Sequence, residues 1–206
     1  MKLWQIMGEL QTIFSPKIAE EWDNVGLLVG DNTREINKVL FCLDVTEKAV
    51  QKAVDNNVDL IISHHPVIFS GLKKITNETV HGRKILKLIE NKIAVYSIHT
   101  NSDFAINGLN DFIMDKLNLD GEKVIFNEHE FEDYNPIKNK MEHVHGGLAR
   151  IKILNEKMKL GDLIERIKDS LGISYVRYVG NKNSYVRKIG LVTCGGSAFM
   201  YEVANK

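Results

Sequence analysis

Three stretches of strand length are nearly all apolar, on both faces: Lys38–Leu43, Val58–Ile62 and Ile93–Ile98. None alternates with period two, so each has the pattern of a strand covered on both sides, as in a parallel sheet, rather than a half-wet edge. Between the first two, Ala49, Val50, Ala53 and Val54 recur at helical spacing. Thr46 stands where a cap can accept a first-turn N–H, Glu47 suits the positive end of the helix dipole, and Asn56-Asn57 close the segment. A second helix is expected from about Glu78 to Glu90, between the second and third strands. Such crossovers are right-handed almost without exception, which sets the three strands parallel. Their carboxyl ends then share one rim, carrying Asp44, the His64-His65 pair before Pro66, and a loop from His99 to Asp103. Ligands of open α/β sheets collect at such a rim.

The flanking segments extend the α/β pattern. Leu3, Trp4, Ile6, Met7, Leu10, Ile13 and Phe14 predict an amphipathic first helix ending near Ser15-Pro16. A polar loop, Ala19–Gly26, follows with Trp22 expected to pack against this half; then come a short strand Leu27–Val29 and a turn at Gly30-Asp31-Asn32. A helix over Gly108–Leu117 closes the first lobe, residues 1–120. Residues 121–147 are charged and read as an irregular connector, with a turn at Tyr134-Asn135-Pro136 and surface histidines His129, His143 and His145. The pattern resumes with a strand Leu148–Leu154, a helix Leu160–Leu171 and strands Tyr175–Val179 and Val186–Thr193. Alternation of Val176 and Tyr178 about Arg177 predicts a half-exposed strand and a mixed sheet in this second lobe, residues 148–206. Cys194-Gly195-Gly196-Ser197 leads into a helix over Ala198–Asn205, where the chain stops without a C-cap glycine, as an incomplete lobe would. A Gly-Gly-Ser turn there is more simply a tight turn than an anion cradle.

Composition narrows the function classes. The 206 residues carry 27 Lys+Arg and 27 Asp+Glu, so no global field favours nucleic acid or an anionic membrane. The hydrophobic share of 44% is that of an ordinary globular protein. Cys42 and Cys194 form no CxxC pair and are expected as small buried residues in a reducing compartment. No signal peptide or membrane span is expected, which makes the chain cytoplasmic by expectation. Neither a Walker A loop nor a Gly-x-Ser-x-Gly elbow occurs, so a phosphate-loop nucleotide hydrolase and a serine triad have no support.

The rim is the remaining chemistry. Imidazole binds a metal through one nitrogen, so His64 and His65 can each hold one ion of a pair. Asp103 supplies a carboxylate that can bridge two ions or serve one. Three ligands are too few for two ions, so the site is either incomplete or mononuclear with open positions. Asp44 and His99 are the reserve candidates, better suited to orienting the ligands. Zinc, manganese, iron and nickel all suit two imidazoles and a carboxylate. Hydrolysis is the default chemistry of such a site, on a cyclic amide, a nucleotide-like ring or a phosphoester. An Asp-His-His phosphoesterase is disfavoured because Ser63, not an acid, precedes His64.

Five stretches together resemble one family: Glu21-Trp22-Asp23-Asn24-Val25-Gly26-Leu27, Leu43-Asp44-Val45-Thr46, Ile62-Ser63-His64-His65-Pro66, His99-Thr100-Asn101-Ser102-Asp103 and Cys194-Gly195-Gly196-Ser197. They resemble the Ngg-interacting-factor-three-like proteins, also known as GTP cyclohydrolase 1 type 2 homologues. That resemblance implies an α/β fold of two interlocked lobes in a three-layer α/β/α arrangement, with a mostly parallel sheet in the first and a mixed sheet in the second. It implies two divalent metal ions per full-length subunit, metal ligands at His64, His65 and Asp103, and a ring-shaped homohexamer. A C-terminal His-x-x-x-Glu that completes the family's site has no counterpart in this chain. The expected reaction is a metal-dependent hydrolysis of an unidentified small molecule; the alternative is a non-catalytic metal-binding scaffold acting through the ring. No nucleic-acid or membrane partner is expected.

Overall fold

The computed structural model describes residues 1–205. The chain divides into two compact units: residues 1–102 with 131–144, and residues 103–130 with 145–206. The division does not fall at the expected 120 and 148. It runs twice through a long hairpin and once through a helix.

The first unit is built on a four-stranded sheet. Its strands are β1 (Gly26–Val29), β2 (Val39–Cys42), β3 (Leu60–Ser63) and β4 (Ala94–Ser97), in the order β1-β4-β3-β2. The three apolar stretches pair parallel, Leu60 with Ala94 and Val39 with Leu60, and β1 adds antiparallel to β4. The pleat sends Ile61 and Val95 to one face, under α2 (Glu47–Asp55) and α3 (Val80–Glu90). It sends Leu60, Ile62, Ala94 and Tyr96 to the other, where α1 (Leu3–Ile13) lays Leu3, Ile6, Met7 and Leu10. Helix, sheet and helix thus make three layers. Thr46 and Thr79 cap α2 and α3, each accepting from a backbone N–H at 3.0 Å.

β2 differs from its expectation. It is an edge strand, and α1 does not cover its half of the sheet, so Phe41 is 70% exposed and Val39 and Leu43 are exposed with it. An all-apolar sequence cannot tell a central strand from an edge; only pairing decides.

In the second unit, α4 (Thr100–Phe104) and α5 (Leu109–Lys116) precede β5 (Gly121–Asn135) and β6 (Lys140–Lys159); α6 (Leu160–Leu171), β7 (Tyr185–Leu191) and α7 (Met200–Ala204) follow. α4 and the hairpin are shared with the first unit. Its sheet has the order β5-β6-β7, with β7 antiparallel to β6, and its core joins Met114, Leu117, Leu119, Leu154 and Leu163. Residues 121–147 are therefore strand rather than irregular connector. The ribbon is mostly exposed, so it lacks the apolar face by which a strand is read. Asn135 does make the expected turn, its Oδ1 accepting from the N–H of Ile137 and Lys138. Tyr175–Val179 is not a strand, and Val179 is 98% exposed. Without it the second sheet is antiparallel, not mixed. Cys42 is partly buried and Cys194 is exposed, with a backbone φ of 54°, so only the first packs as expected.

Candidate metal centre

β3 and β4 end side by side at Ser63 and Ser97, both buried, whose hydroxyls share a hydrogen bond of 2.9 Å. The parallel ladder runs one step further: His64 N–H donates to Cys42 and His65 N–H to Leu43, at 3.2 and 2.9 Å. The two imidazoles are thus delivered at a strand tip on a backbone that is still paired. Their ring centroids lie 5.0 Å apart, and nitrogens of the two rings that could ligate a metal lie within 4.8 Å of each other.

His99 joins them. Its ring centroid is 5.2 Å from that of His64 and 5.5 Å from that of His65, edge-on to both. The reserve candidate is therefore part of the cluster. The expected loop behind it is the short helix α4, whose Thr100 N–H and Oγ1 donate to Asp23 Oδ2 at 3.0 and 2.6 Å.

Each imidazole is held through Nδ1. His64 Nδ1 lies 3.0 Å from the carbonyl of Ile98, His65 Nδ1 2.8 Å from Asp44 Oδ1, and His99 Nδ1 2.8 Å from Asp23 Oδ1. Carbonyl and carboxylate oxygens only accept, so Nδ1 carries the proton in each ring. The lone pair of a neutral ring is then on Nε2. Metal-binding histidines are oriented in this way, by a carboxylate or carbonyl on the other nitrogen. His64 is pushed down to about 4, by burial first and then by the His99 and His65 rings, which makes it a neutral imidazole near pH 7.

Asp23 is the residue that sequence reasoning left undecided. Its side chain is fully buried, and burial would raise it; the hydrogen bonds from His99 and Thr100 outweigh that and hold it at about 2. A permanent carboxylate thus aims His99. The available signal was an acid within Trp22-Asp23-Asn24, between polar loop residues. Asn24 has a different task, donating through Nδ2 to the carbonyl of Ile68 at 2.6 Å. Trp22 does not pack as expected: it is 53% exposed and meets Phe69 and His99 at centroid distances of 5.9 and 6.2 Å.

Asp103 falls in the second unit, 2% exposed, with Cys194 Sγ donating to its Oδ1 at 3.7 Å. The Cys194 thiol is pushed up to about 12, by burial of the sulfur and then by the Asp103 charge. A separate metal-capable group stands on the hairpin, where Glu128, Glu130 and His145 bring their ligand atoms within 4.8 Å of one another. His143 pairs with Glu132 at 3.5 Å. No helix among the described residues is long and apolar enough to cross a membrane.

The family model described as Duf34/NIF3 (NGG1p interacting factor 3) matches residues 1–206. A GTP cyclohydrolase 1 type 2 homolog of Clostridium perfringens is 37% identical over 199 residues, 97% of this chain and 71% of that protein. A protein NIF3 homolog of Schizosaccharomyces pombe is 34% identical over 194 residues, 91% of this chain and 66% of that protein. A Staphylococcus aureus hypothetical protein of known crystal structure superposes with a TM-score of 0.83 at 29% identity, over 100% of this chain and 76% of that one.

Proposed function

The chain belongs to the Duf34/NIF3 (NGG1p interacting factor 3) family, and from that premise we propose that it is a metal-binding protein whose rim histidines serve a metal-dependent hydrolysis. The observation that supports this most is the common orientation of three clustered imidazoles, Nδ1 committed to Ile98, Asp44 and Asp23, so that Nε2 is the nitrogen each ring gives to an ion. His64, His65 and Asp103 are the proposed ligands, in a dinuclear centre of the full-length protein. His99, which the fold brings to the same cluster, is a further one. A divalent ion, when bound, supplies Lewis acidity toward a carbonyl, imine or phosphoryl oxygen and acidifies water near neutral pH. Zinc, manganese, iron and nickel all fit the donor set.

The protein's own residues do the remaining work. Asp23 and Asp44 fix the tautomers of His99 and His65, and the Ser63–Ser97 hydroxyl pair ties the strand tips that carry the cluster. A ring-shaped homohexamer in the cytoplasm, acting on an unidentified small molecule, completes the proposal; a silent scaffold with the same metals is its alternative.

Elemental analysis of protein purified without chelator tests the reading. Stoichiometric divalent metal is expected, and His64→Ala or Asp103→Ala should remove about one ion per chain. Absence of metal from the unaltered full-length protein would sink it. Full metal occupancy with silence across a broad hydrolase screen would favour the scaffold.

A further inference from the structure

Trp22 and Phe69 stand at the edge of the imidazole cluster, each 53% exposed. Contiguous exposed apolar surface, unlike scattered single residues, points to binding, and this pair adjoins polar, metal-capable groups. Their rings meet at 51°, centroids 5.9 Å apart, and so offer two inclined aromatic faces as walls for a ligand. Trp22 turns its other contact toward His99, at 6.2 Å and 73°.

The pair is set in place rather than loosely draped. Trp22 is followed directly by Asp23, whose buried carboxylate takes hydrogen bonds from His99, Thr100 and the N–H of Asn24. Asn24 in turn donates to the carbonyl of Ile68, the residue before Phe69. One side-chain amide therefore couples the loop of Trp22 to the loop of Phe69, while the same three-residue segment aims His99. Aromatic walls fixed by hydrogen bonds lose little entropy when a ligand arrives.

We propose that Trp22 and Phe69 receive a planar heteroaromatic ring, stacked on one wall and edge-on to the other, and so bring the ring's reacting edge to His64, His65 and His99. The inference rests on the rim as the reactive site and narrows its substrate to a compound with such a ring. A sugar phosphate or a saturated cyclic amide has no aromatic face and would gain far less from these walls.

The chain has two tryptophans, so Trp4→Phe leaves Trp22 as sole reporter. Its emission is titrated with guanosine 5′-monophosphate, nicotinamide mononucleotide and ribose 5-phosphate, once with EDTA and once with zinc. The expected result is saturable quenching by at least one of the first two and none by ribose 5-phosphate. Phe69→Ala should weaken the response roughly five- to hundred-fold, the range that base–aromatic stacking commands, and Phe69→Tyr should restore it. No response to either ring compound, an equal response to ribose 5-phosphate, or indifference to Phe69→Ala would each overturn the proposal. So would emission that follows protein dilution instead of ligand, which would assign the pair to contact between copies. Ring quenching in a chain that binds no zinc would keep this aromatic site and discard the metal reading; zinc binding without ring quenching would do the reverse.

Discussion

Arg150 carries its charge at 0% exposure, the largest fully buried side chain among the described residues. Asp111 Oδ2 accepts from its Nη2 at 2.8 Å, and the carbonyls of Phe104, Ala105 and Gly147 take further donors. The guanidinium thus ties the chain just after Asp103 to β6. Burial alone would raise Asp111; the hydrogen bonds from Arg150 and Lys123 outweigh it and hold it below 3.8. A depressed carboxylate contributes stability that is present above the unfolded-state value and lost as pH falls through the folded-state value. Asp111→Asn should therefore cost about 3–5 kcal/mol near neutral pH, the range for a buried charge stripped of its partner. Urea unfolding below about pH 4 should show a smaller gap between the variant and the unaltered chain. A neutral-pH loss under about 1 kcal/mol would mean that the carbonyls alone satisfy Arg150. None of this was legible in the sequence, where Arg150 reads as one charge within a strand. By contrast, His64 and His65 were legible because an apolar run aims them. Asp23 was only half so, since its burial follows from Thr100 and His99 closing over it.

Among the elements, α3 governs the loop that presents Phe69. Thr79 caps it, and Gly82 lies against that loop so closely that a Cβ would stand 2.0 Å from the Thr76 carbonyl oxygen and 2.9 Å from its nitrogen. Backbone cannot yield as a flexible side chain does. Gly82→Ala is expected to destabilise by about 1–3 kcal/mol through overpacking, although alanine is the better helix former. Thr79→Ala should cost about 1 kcal/mol through the lost cap. Thermal unfolding of the two variants checks both, and a stabilised Gly82→Ala would show that propensity outweighs the contact. The helices were readable for reasons of this kind. Thr46 announces α2, and α6 keeps its expected bounds, Leu160–Leu171, because Gly172 follows in the left-handed conformation at φ 66°. Strands were less readable. β2 is apolar yet an edge, β5 is mostly exposed and charged yet a strand, and Tyr175–Val179 alternates but pairs with nothing in the two sheets. Strand identity depends on a partner distant in sequence, which no local pattern contains.

At the scale of the molecule, neither unit is one continuous segment, because the hairpin tip 131–144 is counted with residues 1–102. That assignment has named contacts. Asn135 Nδ2 donates to the carbonyl of Gly8, Thr12 Oγ1 to Glu142, and Lys138 Nζ to Glu9 and Thr12. Gly8 is left without a side chain where Ile137 lies, its Cγ2 only 2.6 Å from where a Cβ would be. The first unit is thus finished by residues that arrive only after the opening segment of the second, 103–130. Replacing 131–144 by a short Asn-Gly turn should leave β1–β4 in order yet expose the covered side of α1. The melting temperature is then expected to fall by on the order of 10 °C, as loss of one or two kcal/mol does in a unit of this size. Hydrogen exchange should locate the loss in α1 while the β3–β4 ladder keeps its protection. Unchanged exchange along α1 would mean that the tip is an ornament of the ribbon. The distinction bears on the rim, since Asn101, two residues after His99, donates to the carbonyl of Phe14 just past the end of α1. Loosening α1 should therefore weaken zinc binding by the imidazole cluster without altering one of its side chains.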